Sequence, residues 1–446
     1  MTLPATVPST HKRRVHRAWW VALVILGALV AAAGFRSSTG ALLVPLETEF
    51  GWSRATTSGA VTANLVVYGM TAPFAAALME RFGIRHVVVA ALVLVALGAG
   101  LTTLMTAPWQ LWVLWGLAVG VGTGAMALVL GSVVANRWFA EERRGLVTGV
   151  FSAAGAAGQL VFLPGIAALA TGPGWRWAAL VTTGAALLLV PVVALVVRDW
   201  PSDLGLRPFG ERSGGAGHAA YEDHGPQRGA ASLAVATLRG SLRNRTFWIL
   251  VGTFWVCGWS TNGLIGTHFI PAAHDHGMPE TTAAGLLALV GVFDLAGTIA
   301  SGWLTDKVDP RLLLCCYYGL RGLSLLFVPT LLGPDIHPNL FLFIVFYGLD
   351  WVATVPPTIA LCRRHFGVAK SSVVFGWVFA SHMVGAGVAA SYAGWVRSST
   401  GDYFTAWLTA GALCLVAALA CLAISRSPDR GSWRTEGEEA EVAAVA

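Results

Sequence analysis

Long apolar stretches separated by short polar connections dominate the chain. Twelve segments, roughly 19–48, 55–79, 86–106, 109–135, 145–168, 177–197, 247–271, 281–304, 312–332, 339–362, 371–396 and 403–424, are long enough to cross a bilayer, which takes about 20 mainly apolar residues. The pattern predicts helices, because each backbone amide in hydrocarbon needs a partner within its own segment. The short alternating strands of a membrane barrel do not occur in the sequence. One long polar connection, 198–246, divides the spans six and six. It is rich in Gly, Pro and charge (Gly210-Glu211-Arg212-Ser213-Gly214-Gly215). It reads as a cytoplasmic linker, partly disordered, with a short amphipathic helix near 231–245. The expected organisation is an all-α polytopic chain. It has an N-terminal tail 1–18, a six-helix bundle 19–197, the linker 198–246, a second bundle 247–424 and a tail 425–446.

Positive charge orients these spans. Of the 29 Lys and Arg residues, 24 lie in the two tails, the linker and the even-numbered connections. The odd-numbered connections hold Arg54, Arg176 and Arg397, and the spans themselves hold Arg36 and Arg321. Both termini are therefore expected in the cytoplasm, with the chain in the inner membrane. The formal net charge of +6 follows from this asymmetry, so no nucleic-acid partner is implied. Composition agrees: 12% of the 446 residues are charged and 55% are hydrophobic, against about 25% charged in soluble domains. A soluble enzyme, a disordered chain and a disulfide scaffold are excluded. The six cysteines (Cys257, Cys315, Cys316, Cys362, Cys414 and Cys421) sit in apolar runs without metal-ligand spacing and read as small packing residues. The His268, His274, His276 group reads as a solvated loop. No metal or cofactor site is expected.

The two halves match one another. Glu80 and Asp306 lie 226 residues apart, as do Gly51 and Gly277, and Gly59 and Gly285. Arg137-Trp138-Phe139 and Arg364-His365-Phe366 lie 227 apart. A duplicated six-helix unit accounts for the shared offset.

Gly302, Leu304, Asp306, Lys307 and Arg311 together resemble the signature loop of the major facilitator superfamily. The first half carries a weaker version, with Ala76 for the glycine and Glu80 for the aspartate. The resemblance covers roughly residues 18–425. It implies two six-helix bundles around a central cavity that opens alternately to each side. Glu49-Phe50-Gly51-Trp52-Ser53-Arg54 and Asn136-Arg137-Trp138-Phe139 resemble the bacterial monocarboxylate-carrier and oxalate/formate-antiporter branch. Arg36 is similar in place to a lysine of the first helix in animal monocarboxylate carriers, and Asp294 to an aspartate of their eighth helix. Thr298 stands where those carriers have an arginine one turn later. His382 lies in the eleventh helix, where the oxalate antiporter has a lysine. The resemblance implies a secondary active transporter, not an enzyme. It would move a small organic anion, a monocarboxylate first, with protons as the coupling ion, and would act as a monomer. Glu80, Arg81, Arg85, Asp306, Lys307 and Arg311 would be cytoplasmic gating charges. The alternative within the same fold is an efflux carrier for hydrophobic compounds.

Ionisable groups inside spans are costly and few, so each is a candidate. At about 1.5 Å per helical residue, Asp294, Arg321 and Asp350 fall about 15–20 Å from the cytoplasmic face, which permits a mid-membrane network. With two acids and one base, one carboxyl can carry a proton. Asp294, Asp350 and His382 are therefore the proton-coupling candidates. Arg321 either binds substrate or braces the second bundle, since the ninth helix of the architecture it resembles is peripheral. Asp294, Thr298, Ser301 and Thr305 share one helix face, as do Tyr347, Asp350, Thr354 and Thr358. Such stripes are wet cavity walls or interhelical hydrogen-bond seams. Arg36, in the outer part of span one, offers a guanidinium to a carboxylate or snorkels to the interface. Asn64, Tyr68, Gln159 and Asn262 reach similar depths and are candidate substrate hydrogen-bonders. Glycines such as Gly116, Gly120, Gly122, Gly124, Gly155 and Gly158 read as close helix packing.

Overall fold

The computed structural model describes residues 16–52, 54–169, 173–211 and 229–427. Among the described residues, twelve helical rods cross the molecule. The first six are α1 (Arg17–Phe50), α2 (Arg54–Phe82), α3 (Ile84–Thr102), α4 (Pro108–Trp138), α5 (Glu141–Leu169) and α6 (Trp175–Val196). The second six are α7 (245–275), α8 (Glu280–Thr305), α9 (Pro310–Leu331), α10 (338–366), α11 (368–400) and α12 (Phe404–Leu422). Among the described residues, nine stretches are long and apolar enough to cross a membrane. One of these, Pro338–Arg397, is two rods parted at Gly367. The backbone there takes a φ of 74°, which glycine adopts without penalty. The rods α2 and α7 complete the twelve.

The two halves repeat one pairing scheme: α1 with α5, α2 with α4 and α3 with α6 in the first, then α7 with α11, α8 with α10 and α9 with α12 in the second. Each pair meets at a glycine. Gly158 lies on Val30 and Ala33, Gly120 on Asn64 and Val67, and Gly100 on Thr183. In the second half Gly385 lies on Trp255, Gly297 on Leu349, and Gly411 on Gly322 and Leu326. Without a solvent contrast to drive helices together in lipid, close backbone approach at small residues supplies the packing. A Cβ added at Gly155 would meet nothing within 4 Å, so that glycine makes no such close approach. Large apolar side chains face outward, among them Leu104, Leu188, Leu195 and Leu419, each at least 70% exposed. Such a surface suits lipid rather than water.

The linker carries a helix, Ala230–Ser241, where the sequence predicts one over 231–245. It stops early because Asn244 begins α7, its side chain accepting from Thr246 N at 2.7 Å. One face is buried at Ala234, Thr237 and Ser241. The Ala234 carbonyl accepts from Trp377 Nε1 of α11 at 3.1 Å. Below, the end of the molecule that bears this helix is called the linker end. The His16 ring lies 5.3 Å from that of Phe209, and Arg311 Nη1 donates to Ile424 O, so both ends of the described residues lie there too.

Candidate functional site

The bundles meet through α5 with α8 and α2 with α11, in the linker-end half of the molecule. Gly145 and Gly149 of α5 lie against Asp306, Gly302 and Thr298 of α8. Gly376 of α11 lies against Pro73 of α2, and Gly69 against Met383. Ser132 and Asn136 of α4 bond Ser372 and Ser371 of α11 at 3.1–3.3 Å. Asp306 accepts from Gly145 N at 2.8 Å and Leu146 N at 2.9 Å. In the deeper part of this seam, Tyr68 meets Phe379 edge-on with ring centroids 5.6 Å apart. At the opposite end, the described ion pairs stay within a bundle: Glu49–Arg176 in the first and Asp275–Arg397 in the second. The seam is therefore shut at the linker end.

Asp306 is the gating candidate that reaches across. Glu80 instead pairs with Arg137 at 2.8 Å, and Arg137 lies over the Trp200 ring. Arg81 stacks on Phe82, and Lys307 on Trp303. Arg85 uses its backbone N–H on Asp199, and Arg311 pairs with Asp309. Asn136 and the serines Ser132, Ser371 and Ser372 cross the seam as well. Sequence reading did not single the serines out, because small hydroxyls are common in apolar helices.

Beside the Tyr68–Phe379 contact lies a second cluster. His382 is buried, its ring parallel to Phe379 and 4.9 Å from that of Phe254. Its Nε2 is 3.3 Å from Nδ2 of Asn262, which is exposed on α7. Three of the expected site residues, Tyr68, Asn262 and His382, thus come together. Asn64 does not join them. It is buried, and its amide donates to Trp115 O at 2.8 Å, in a wide-turned part of α4. The side chains of Arg36 and Gln159 lie outside the described residues.

The buried charges of the second bundle gather on α10. Pro356 and Pro357 have no N–H, so Val352 O and Ala353 O lose the donors a continuous helix would give them. The helix stops at Asp350 and resumes at Val355. Ala353 and Thr354 are buried, so each freed backbone group needs a protein partner. Arg321 Nη2 donates to Asp350 O and Trp351 O, while Nε donates to Asp350 Oδ2 at 2.6 Å. Ser301 Oγ donates to Ala353 O. Val352 N donates to Asp294 Oδ1 at 3.0 Å, and Thr298 Oγ1 donates to the same oxygen at 2.7 Å. Arg321 Nη1 lies 3.2 Å from Cys257 Sγ, which is 3.3 Å from Thr354 Oγ1.

The three charges are thus neighbours, but only Arg321 and Asp350 form an ion pair. Asp294 joins them through the backbone of α10. Thr298, Ser301 and Thr305 are buried, as are Tyr347, Thr354 and Thr358. Both polar stripes are therefore interhelical seams. Cys257 is an exception to the reading of the cysteines as packing groups. Nothing in its apolar setting marks it, and its polar role depends on α9 and α10 arriving beside it.

A family model described as Major Facilitator Superfamily matches residues 24–390 and 264–446. The chain belongs to the major facilitator superfamily. It is a multi-pass membrane transporter of the secondary type, not an enzyme. The sequence is 26% identical over 402 residues to monocarboxylate transporter 13 of Rattus norvegicus, covering 89% of this chain and 87% of the rat protein. It is 26% identical to the MFS-type transporter YcxA of Bacillus subtilis, with 84% and 87% covered. Among solved structures, the human organic anion transporter MFSD10 superposes with a TM-score of 0.69 at 16% identity, with 91% and 99% covered. That last likeness shows the shared fold.

Proposed function

We propose that this transporter carries a small organic anion, a monocarboxylate first, together with protons, by alternating access. The observation that carries the reading is the setting of Asp294. This acid is buried within α8 and bonds a hydroxyl and a backbone N–H, not a cation. Such a carboxyl can exist with or without its proton without leaving a partner cation stranded, which suits it to load and unload. The name of the rat relative supports an organic anion as cargo.

Asn262 and His382 would meet the anion above the Tyr68–Phe379 floor, and Arg36 would supply fixed positive charge. Asp350 is held by Arg321, so of the two carboxyls Asp294 is assigned the proton. The linker end is assigned to the cytoplasm, where most Lys and Arg lie. At the opposite end, Arg176 and Arg397 are paired with acids. The described state then faces outward, and Asp306 with Asn136 forms the inner gate. The tails, two bundles and linker are divided as the sequence suggests, and the protein works as a monomer in the inner membrane.

Proteoliposomes given labelled lactate test this. An inward proton gradient is expected to drive accumulation, a protonophore to abolish it, and Asp294→Asn to lose the gradient response. Accumulation indifferent to the gradient would remove the proton from the account. The aromatic surround of His382 favours a second reading, export of hydrophobic compounds. Resistance conferred on an efflux-deficient host, without lactate uptake, would select it.

A further inference from the structure

We propose that the break in α10 at residues 351–354 is a hinge. Asp294 controls it through Val352 N–H, and Ser301 and Arg321 are the positioning residues that hold it. The inference rests on the reading of Asp294 as the proton site and adds how its proton state reaches the gate.

The break is dictated by Pro356 and Pro357, and it is fastened from outside. Neighbouring side chains serve its freed backbone groups: Arg321 for the carbonyls of Asp350 and Trp351, Ser301 for Ala353 O, and Asp294 for Val352 N. Val352 O takes its bond from Val355 N at 2.9 Å. These fastenings differ in kind. Arg321 is a permanent cation, and Ser301 is neutral at all relevant pH. Asp294 alone among them can change charge. When it takes up a proton, a charge-assisted bond to Val352 N–H becomes a neutral one of roughly half the strength.

The groups facing Asp294 frame that change. From α9 comes Arg321, from α10 Asp350, and from α7 Cys257 behind Arg321. Tyr317 of α9 sits against Ser301. The contact from α5 is Gly149 against Thr298, which brings no charge.

The two halves of α10 have different attachments. The upper half, Pro338–Asp350, is pressed on α8 at Gly297 and Gly348, where an added Cβ would collide with the opposing backbone. The lower half, 355–366, ends in the gate. Arg363 Nη1 donates to Asn136 Oδ1 at 3.5 Å, and Arg363 faces Asp306. A hinge at 351–354 thus places a mid-membrane acid one helix segment away from the inter-bundle seam. Ordinary helix continuity would transmit nothing local. A break whose fastening depends on charge transmits the proton state as freedom of the lower half.

Hydrogen exchange of the full-length protein in lipid nanodiscs tests this, paired with infrared titration of the Asp294 carboxyl. Between about pH 8 and about pH 5, exchange over 350–356, corrected for intrinsic rate, is expected to rise at least about tenfold in the native chain. Asp294→Asn is expected to stay fast at both values. Ser301→Ala is expected to be fast at both while Asp294 still titrates, with the infrared midpoint displaced. A packing defect at Ser301 would not move that midpoint. If Asp294 titrates but exchange over 350–356 ignores it, the hinge is wrong and the proton site survives. If the Asp294 band does not titrate in this range, both readings fall.

Discussion

Arg321 is fully buried, and its guanidinium touches Asp350, two backbone carbonyls, Cys257 and Ser260. A buried pair strands a charge when one member is removed, at a cost of about 3–5 kcal/mol. Arg321→Met is therefore expected to lower the thermal unfolding midpoint sharply. If the ion pair were the whole role, Arg321→Met/Asp350→Leu would recover native stability. Two carbonyls of the α10 break would still lack donors, at about 1–3 kcal/mol each. The double variant should thus improve on the single one yet remain below the native protein, as thermal unfolding in detergent would show. Asp294, Arg321 and Asp350 stood out in the sequence because intramembrane charge is scarce. Ser301 and Cys257 did not, because their work is defined by which backbone groups the α10 break exposes. The Pro356-Pro357 pair was the visible signal for that break. It was masked by the apolar length of span ten, which by itself reads as one helix.

The α5–α8 contact sets what the seam can do as an element. Gly149 and Gly302 lie so close that a Cβ on either would fall 2.5–2.9 Å from opposing backbone. Gly302→Val is expected to keep the fold of each bundle and to prevent closure at the linker end. Spin labels on Glu141→Cys and Val308→Cys, with Cys315 and Cys316 replaced by serine, should report a longer distance. The same pair reads a pH effect at Asp306. Burial raises the pKa of this carboxyl, and bonds from Leu146 N and Gly145 N pull it partly back. In an open seam it returns to its ordinary value of about 4. A group whose pKa is higher in the closed form favours closure below the ordinary value, and loses that effect as pH rises through the raised one. Acid at the linker end should shorten the label distance, and Asp306→Asn should flatten the response. The rods were legible because length and apolarity suffice to predict them. The partners of Glu80 and Asp306 were not: their motif positions are equivalent, yet one acid turns inward to Arg137 and the other crosses to α5.

On the scale of the molecule, alternating access requires the shut seam to open. Ser132 Oγ and Ser372 Oγ lie 3.2 Å apart across it. Cysteines at both positions should form a disulfide that stops lactate uptake until it is reduced, while either cysteine alone leaves uptake intact. The duplicated architecture was readable from the shared offset between halves, and the repeated helix pairing follows it. Which end is shut was not readable, since the apolar pattern of the spans is the same whichever end the bundles close at.

Pyranine trapped inside proteoliposomes gives the most direct measurement of proton-coupled anion transport. Lactate added outside should acidify the lumen faster than in protein-free vesicles, and Asp294→Asn should abolish the excess. Labelled lactate that accumulates through the protein with no excess acidification would contradict the account.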